Sequence, residues 1–189
     1  MNNAQVLRDA LTGAIAATSK DMETLDAVHI RVADGVLHVA GTDRFMVAMH
    51  AAPTDMQDFD QVSISTAEAK RLLKHLKGAS YIALQVDGDT LHAQANGDLD
   101  GYQILDAQGP DFTKIGRGYV PCPNAFTRLN SGIFAALAKL PENGKKGLGF
   151  DVEILGMPGD QPHNALPKML RCTRGAWVFM AMLQRHEGA

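Results

Sequence analysis

Val28-His29-Ile30-Arg31-Val32-Ala33-Asp34-Gly35-Val36-Leu37-His38-Val39-Ala40 alternates apolar and polar side chains on either side of an Asp-Gly pair. Alternation with period two puts Val28, Ile30 and Val32 on one face of a strand and His29 and Arg31 on the other. Asp34-Gly35 supplies the two residues that accept positive φ in a tight hairpin, so Val36 to Ala40 returns as the partner strand. Thr42 to His50 continues as a third extended segment, and Pro53 to Asp60 is a polar connection. Upstream, Leu7, Leu11 and Ile15 recur every four residues beside Val6, Ala10 and Ala14, which predicts a helix over Ala4 to Ser19. A helix followed by a meander of strands is therefore the first unit.

Two further units repeat that order. Val62 and Ile64 form a short strand. Ser65-Thr66-Ala67-Glu68 then reads as a capping box opening a helix that runs to Lys77 and stops at Gly78. Tyr81 to Val86 and Thr90 to Ala95 are strands joined at Asp87-Gly88-Asp89, with Gly101 to Leu105 as a third. After the Gly/Pro-rich link Gly109 to Pro123, Asn130 or Ser131 caps a short helix carrying Ile133, Phe134 and Leu137, which Pro141 ends. Phe150, Val152 and Ile154 form a strand, and Met157 to Pro167 is a loop. Met169 to Cys172 and Ala176 to Leu183 close the chain as a strand pair. Hairpins and meanders give antiparallel sheets with helices on one face, an α+β fold.

Composition narrows the function. The 189 residues are 46% hydrophobic and 21% charged with net charge −3, as in an ordinary globular protein. No apolar run approaches the roughly 18 residues of a membrane span. The N-terminus shows no signal-peptide core, so a cytoplasmic location is expected. Cys122 and Cys172 are too few for a disulfide framework or a zinc ribbon. There is no P-loop, dinucleotide fingerprint or His-Glu-x-x-His motif. The seven histidines are scattered, and His29, His38 and His92 read as exposed sheet residues. Asp87, Asp89 and Asp98 read as turn carboxylates. No catalytic constellation, cofactor site or metal site is expected.

The helix from Ser65 to Gly78 carries the clearest local charge. Ala69, Leu72, Leu73 and Leu76 make its apolar stripe, and Lys70, Arg71, Lys74 and Lys77 stand against the single acid Glu68. Lys70, Lys74 and Lys77 fall at i, i+4 and i+7 and share a face. Such a face suits phosphates without reading bases. It is equally what any solvated helix with a favourable C-terminal dipole carries.

Gly41-Thr42-Asp43-Arg44-Phe45-Met46-Val47-Ala48 resembles the Thr-Asp-Gly strand of bacterial DNA sliding clamps, the polymerase III beta subunit family, with Arg44 in place of the Gly. The surrounding order agrees. Leu11 to Ile30 resembles the first helix and strand of the clamp's middle domain, and Val62 to Leu76 its second helix. Leu105-Asp106-Ala107-Gln108-Gly109-Pro110-Asp111-Phe112 resembles the segment that closes that domain. Leu129-Asn130-Ser131-Gly132-Ile133 resembles the start of the last domain's second helix. Trp177-Val178-Phe179-Met180-Ala181-Met182 resembles the C-terminal strand, with Ala181 where the family has Pro.

The resemblance implies a complete clamp-like domain over 1–118 and a half or reduced one over 119–189, making three helix-plus-sheet half-units. It implies a non-enzymatic processivity factor that encircles or tracks duplex DNA and assembles as a homo-oligomer. Arg8, Lys20, Lys70, Arg71, Lys74, Lys77, Arg128 and Lys139 would meet DNA. Thr42, Arg44, Phe45, Met46 and Val47, with Val178, Met180 and Met182, would form the pocket for apolar peptide motifs of a polymerase and other partners, and a clamp loader would be a further partner. Alternating apolar residues such as Val178, Met180 and Met182 are also what any core strand has. The alternative function is a clamp-derived interaction module, adaptor or competitor of a full clamp, that does not encircle DNA.

Overall fold

The structure, a computed structural model, describes residues 3–106, 109–115, 119–121, 131–141, 149–156 and 169–183. Helix α1 (Asn3–Ala16) leads into β1 (Ala27–Ala33), β2 (Val36–Thr42), β3 (Met46–Pro53) and β4 (Phe59–Ser65). Helix α2 (Thr66–His75) is followed by β5 (Ile82–Asp87), β6 (Thr90–Ala95) and β7 (Asp98–Gln103). The third unit holds β8 (Val120–Pro121), α3 (Ser131–Leu137), β9 (Asp151–Gly156), β10 (Met169–Arg174) and β11 (Trp177–Met182).

The strands form two antiparallel sheets. One has eight strands in the order β4-β1-β2-β3-β11-β10-β9-β8, and the other has three in the order β5-β6-β7. The hairpin read from Asp34-Gly35 forms as expected: both residues have positive φ, 53° and 71°, and Ala33 pairs with Val36. Asn96-Gly97 does the same at φ 55° and 87°, which starts β7 at Asp98 rather than at the expected Gly101. Residues 43–45 form a turn, so β3 begins at Met46 rather than at Thr42. Ser65 caps α2 by accepting the Glu68 backbone N–H at 3.1 Å. The return half of the expected capping box is absent from the described bonds, where the Glu68 carboxylate meets Arg71 instead.

Two clusters build the core. In the larger one Leu7 and Leu11 of α1 and Leu72 and Leu76 of α2 pack with Ile30, Leu37, Ile64, Ile82, Leu91 and Tyr102 from both sheets. In the other, Ile133, Ala136 and Leu137 of α3 and the following Leu140 pack with Cys172, Trp177 and Phe179. Burial raises the Cys172 thiol pKa to about 11, so it is a packing residue and a poor nucleophile.

Helix α1 spans the seam between these clusters. A Cβ on Gly13 would lie 2.1 Å from Trp177 Cη2, and one on Gly41 would lie 2.2 Å from the Ala14 carbonyl oxygen. Both glycines are there because the helix approaches β2 and β11 too closely for any side chain. At the start of α1, Asn3 clamps β5: its Oδ1 accepts the Ile82 N–H at 3.0 Å and its Nδ2 donates to the Ile82 carbonyl at 3.1 Å. One helix thus ties together all three units.

Candidate functional site

The segments read as two sides of a pocket are neighbours in the fold. Strand β3 pairs with β11, with Met49 opposite Val178, Val47 opposite Met180 and Met46 opposite Ala181. The Met182 N–H donates to the Phe45 carbonyl at 2.7 Å and carries the pairing past the strand end. Alternation sends Trp177, Phe179 and Ala181 into the core under α1 and α3, and Met46, expected in the pocket, lies opposite Ala181 and packs against this same cluster. Val178, Met180 and Met182 therefore share the opposite face with Val47 and, one strand further, Thr42. Val47, Met180 and Thr42 are largely covered, whereas Phe45 and Met182 are more than half exposed. Met49 lies on this same face between the named residues, and the sequence reading missed it. Its only signal was its place two residues after Val47, and the register of β11 was needed to use it.

Arg44 sits beside this face at φ 85°, a conformation that favours glycine. The turn that holds it is built locally. Asp43 Oδ1 accepts the Phe45 and Met46 N–H groups at 2.9 and 2.6 Å, and Thr42 Oγ1 donates to the Met46 carbonyl at 2.6 Å. The backbone here takes a conformation that suits Gly, although this chain has Arg. The Asp43 carboxylate is thus engaged by the turn itself.

The expected cations divide into two groups. Lys20, Lys70, Lys74, Lys77 and Lys139 are exposed. Arg8 is half-buried and spans the helices: Nη1 donates to the carbonyls of Leu76, the C-cap of α2, and of Ala79 beyond the following turn, at 2.6 and 3.0 Å. Arg71 pairs with Glu68 on its own helix and is turned toward β7, where it pairs with Asp100, donates to the Gly101 carbonyl and stacks 4.5 Å over the Tyr102 ring. Arg128 lies outside the described residues, as do Cys122, the Leu129-Asn130 cap and the loop from 157 to 167.

His29 corrects the expectation of an exposed sheet residue. It is only 2% exposed. Its Nδ1 is 2.8 Å from Ser63 Oγ, the Phe112 ring lies 5.1 Å away, and Gly109 approaches too closely for a side chain. The segment around Phe112 thus folds over the sheet face that the alternation had placed in water. Burial lowers the His29 pKa to about 4, and does the same at His50, which packs edge-on to Trp177. His38 is exposed, as expected. Among the described residues no His/Cys/Asp/Glu group is arranged to hold a metal ion, and no helix is long and apolar enough to cross a membrane.

No protein-family profile and no curated protein sequence matches the chain. Solved structures do. The DNA polymerase III beta subunit of Pseudomonas aeruginosa superposes with a TM-score of 0.65 at 14% identity, over 96% of this chain and 65% of that one. The beta subunit of Thermotoga maritima gives 0.62 at 15% identity, over 96% and 64%. The sliding clamp of Bartonella birtlesii gives 0.62 at 15% identity, over 100% and 64%. The chain spans about two thirds of the length of the clamps it matches. Its α+β architecture of antiparallel sheets lined by helices is the fold of the bacterial sliding clamp, in shortened form.

Proposed function

We propose that the chain is a clamp-type processivity factor. It assembles as a homo-oligomer around or along duplex DNA, in the cytoplasm, and tethers a DNA polymerase through an apolar peptide motif. The observation that carries this reading is the pairing of β3 with β11, which puts Thr42, Phe45, Val47, Val178, Met180 and Met182 in one continuous strip on a clamp fold. Thioethers and a half-exposed aromatic give an adaptable apolar surface of the kind that several partner peptides can share.

The DNA side is the exposed face of α2. Lys70, Lys74 and Lys77, with Lys20 and Lys139, meet phosphates without reading bases, and Arg8 and Arg71 hold the scaffold beneath them. The complete domain ends near residue 118 and a reduced one follows, so a loader and a polymerase would meet an assembly of three half-units per chain. No step of covalent chemistry is part of the role.

A second reading, an interaction module that does not encircle DNA, is favoured by the engagement of Arg8 and Arg71 within the protein, which thins the free basic surface. Binding to a fluorescent duplex across a salt series separates the two. Changing Lys70, Lys74 and Lys77 to Glu should weaken binding and make the log–log salt slope shallower by about 2.7, for three phosphates at about 0.9 each. Binding of an apolar clamp-motif peptide should persist. An unchanged slope, or a wild-type chain that slides off circular and linear DNA equally, refutes the first reading.

A further inference from the structure

The sheets end in edges of very different character. The eight-stranded sheet finishes at β8, which has two residues, one of them Pro121. A short strand with proline is a protected edge. At its other end β4 is bridged to the segment after β7: Ile64 pairs with Ile104, and the Leu105 N–H donates to the Ser63 carbonyl at 2.8 Å. The opposite edge of the small sheet is β5, six residues long, in unbroken register with β6 and without Pro, Lys or Arg.

The direction of the β5 edge follows from Asn3. Both backbone groups of Ile82 are bonded to Asn3, so they point away from β6. Every second residue does the same in an antiparallel strand, so Leu84 and Val86 present their N–H and C=O groups outward. Their side chains belong to the core side, with Leu84 buried and Val86 half-buried. Gln85 and Asp87 lie on the exposed face.

We propose that β5 is a homotypic interface, where the β5 strand of a second copy of this chain adds antiparallel across a two-fold axis at Gln85. The pairing is self-complementary. Leu84 meets the second copy's Val86 as a hydrogen-bonded pair, and their side chains extend the apolar face. Gln85 meets Gln85, and Asp87 meets Ala83, so no like charges oppose each other. The chain already joins sheets this way within itself, at β3 and β11. The proposal rests on the oligomeric part of the function proposed above and is independent of its DNA part.

The test is light-scattering mass of the full chain with two edge variants. Val86→Pro removes an outward N–H and costs no bond to β6. Gln85→Lys sets two ammonium groups against each other on the axis. The wild type should be an oligomer, and each variant should have half its mass or less with an unchanged circular dichroism spectrum. A third variant, Gln85→Cys in a Cys122→Ser background, should form a disulfide dimer on mild oxidation, since facing residues in a non-hydrogen-bonded pair lie about 4.5 Å apart, within disulfide reach. The control Arg31→Cys, exposed on β1, should not. An oligomer unaffected by both edge variants overturns the β5 interface and leaves the DNA reading standing. A monomeric wild type overturns the interface as well, and the salt-slope experiment then decides the DNA reading separately.

Discussion

Gly13→Ala sets two well-known effects against each other, and the structure decides the sign. In an exposed helix interior the change favours folding by about 1 kcal/mol. Here the new methyl would lie 2.1 Å from Trp177 Cη2, 2.5 Å from Cζ2 and 2.9 Å from Leu140 Cδ2. Carbon atoms rest at about 3.5–4.0 Å, so the overlap exceeds 1 Å. The indole has little freedom to retreat. Its Nε1–H donates to the Pro141 carbonyl at 2.6 Å, His50 packs against it at 4.8 Å, and it is fully buried. Overpacking of this kind costs about 1–3 kcal/mol, and a pinned neighbour puts it at the upper end. The net expectation is a loss of about 2 kcal/mol, or about 4–8 °C in Tm for a chain of this size. Trp177 is the single tryptophan, so its fluorescence in a urea titration reports the seam directly. Trp177→Phe removes the atoms that collide, so the double variant, followed by circular dichroism, should lose less stability than the two single losses added together. A Gly13→Ala chain as stable as the wild type refutes the reasoning, because propensity would then have outweighed the contact.

Three other outcomes follow from the same geometry. Arg44→Gly should raise the unfolding free energy by about 0.5–1 kcal/mol, because relief of a φ of 85° outweighs the added freedom of the unfolded chain; a lower thermal midpoint refutes it. Arg8→Met should cost about 1–3 kcal/mol through the Leu76 and Ala79 carbonyls it leaves bare, while the salt slope of DNA binding stays unchanged; a shallower slope would make Arg8 a phosphate contact instead. For His29 and His50 the folded chain takes up a proton only near pH 4, whereas the unfolded chain does so near 6.5. The unfolded state binds more protons in that window, so stability falls as pH drops from 6.5 to 4, by up to about 3 kcal/mol for each histidine. His50→Phe keeps the aromatic contact and removes the titration, so its urea-unfolding free energies at pH 7 and pH 4.5 should differ by about 2–3 kcal/mol less than the wild type's. An equal pH dependence in both proteins refutes the assignment.

Local rules made much of the fold legible. The alternation around Asp34-Gly35 produced β1 and β2, the Leu7–Leu11 spacing produced α1, and Ser65 fixed the start of α2, because each depends on residues within one turn or one hairpin. The segments of the candidate site were legible too, as chemistry: a Thr-Asp turn and a Met-rich strand. Their adjacency was not. It rests on β3 meeting β11 across more than 120 residues of chain, and no local period encodes which two edges pair.

The same divide separates the charged residues. The sequence by itself determined that Lys70 and Lys74 share a helix face, since 3.6 residues per turn requires it, whereas the expected helix to Lys77 ends at His75 and leaves Lys77 in the turn that follows. Only the tertiary structure decided that Arg8 and Arg71 are engaged with backbone and aromatic partners, and that His29 is roofed by Gly109 and Phe112. A side chain's rank in an element follows from the backbone repeat. Its solvent exposure and its partners follow from which distant segment packs against it, and that is a property of the whole chain.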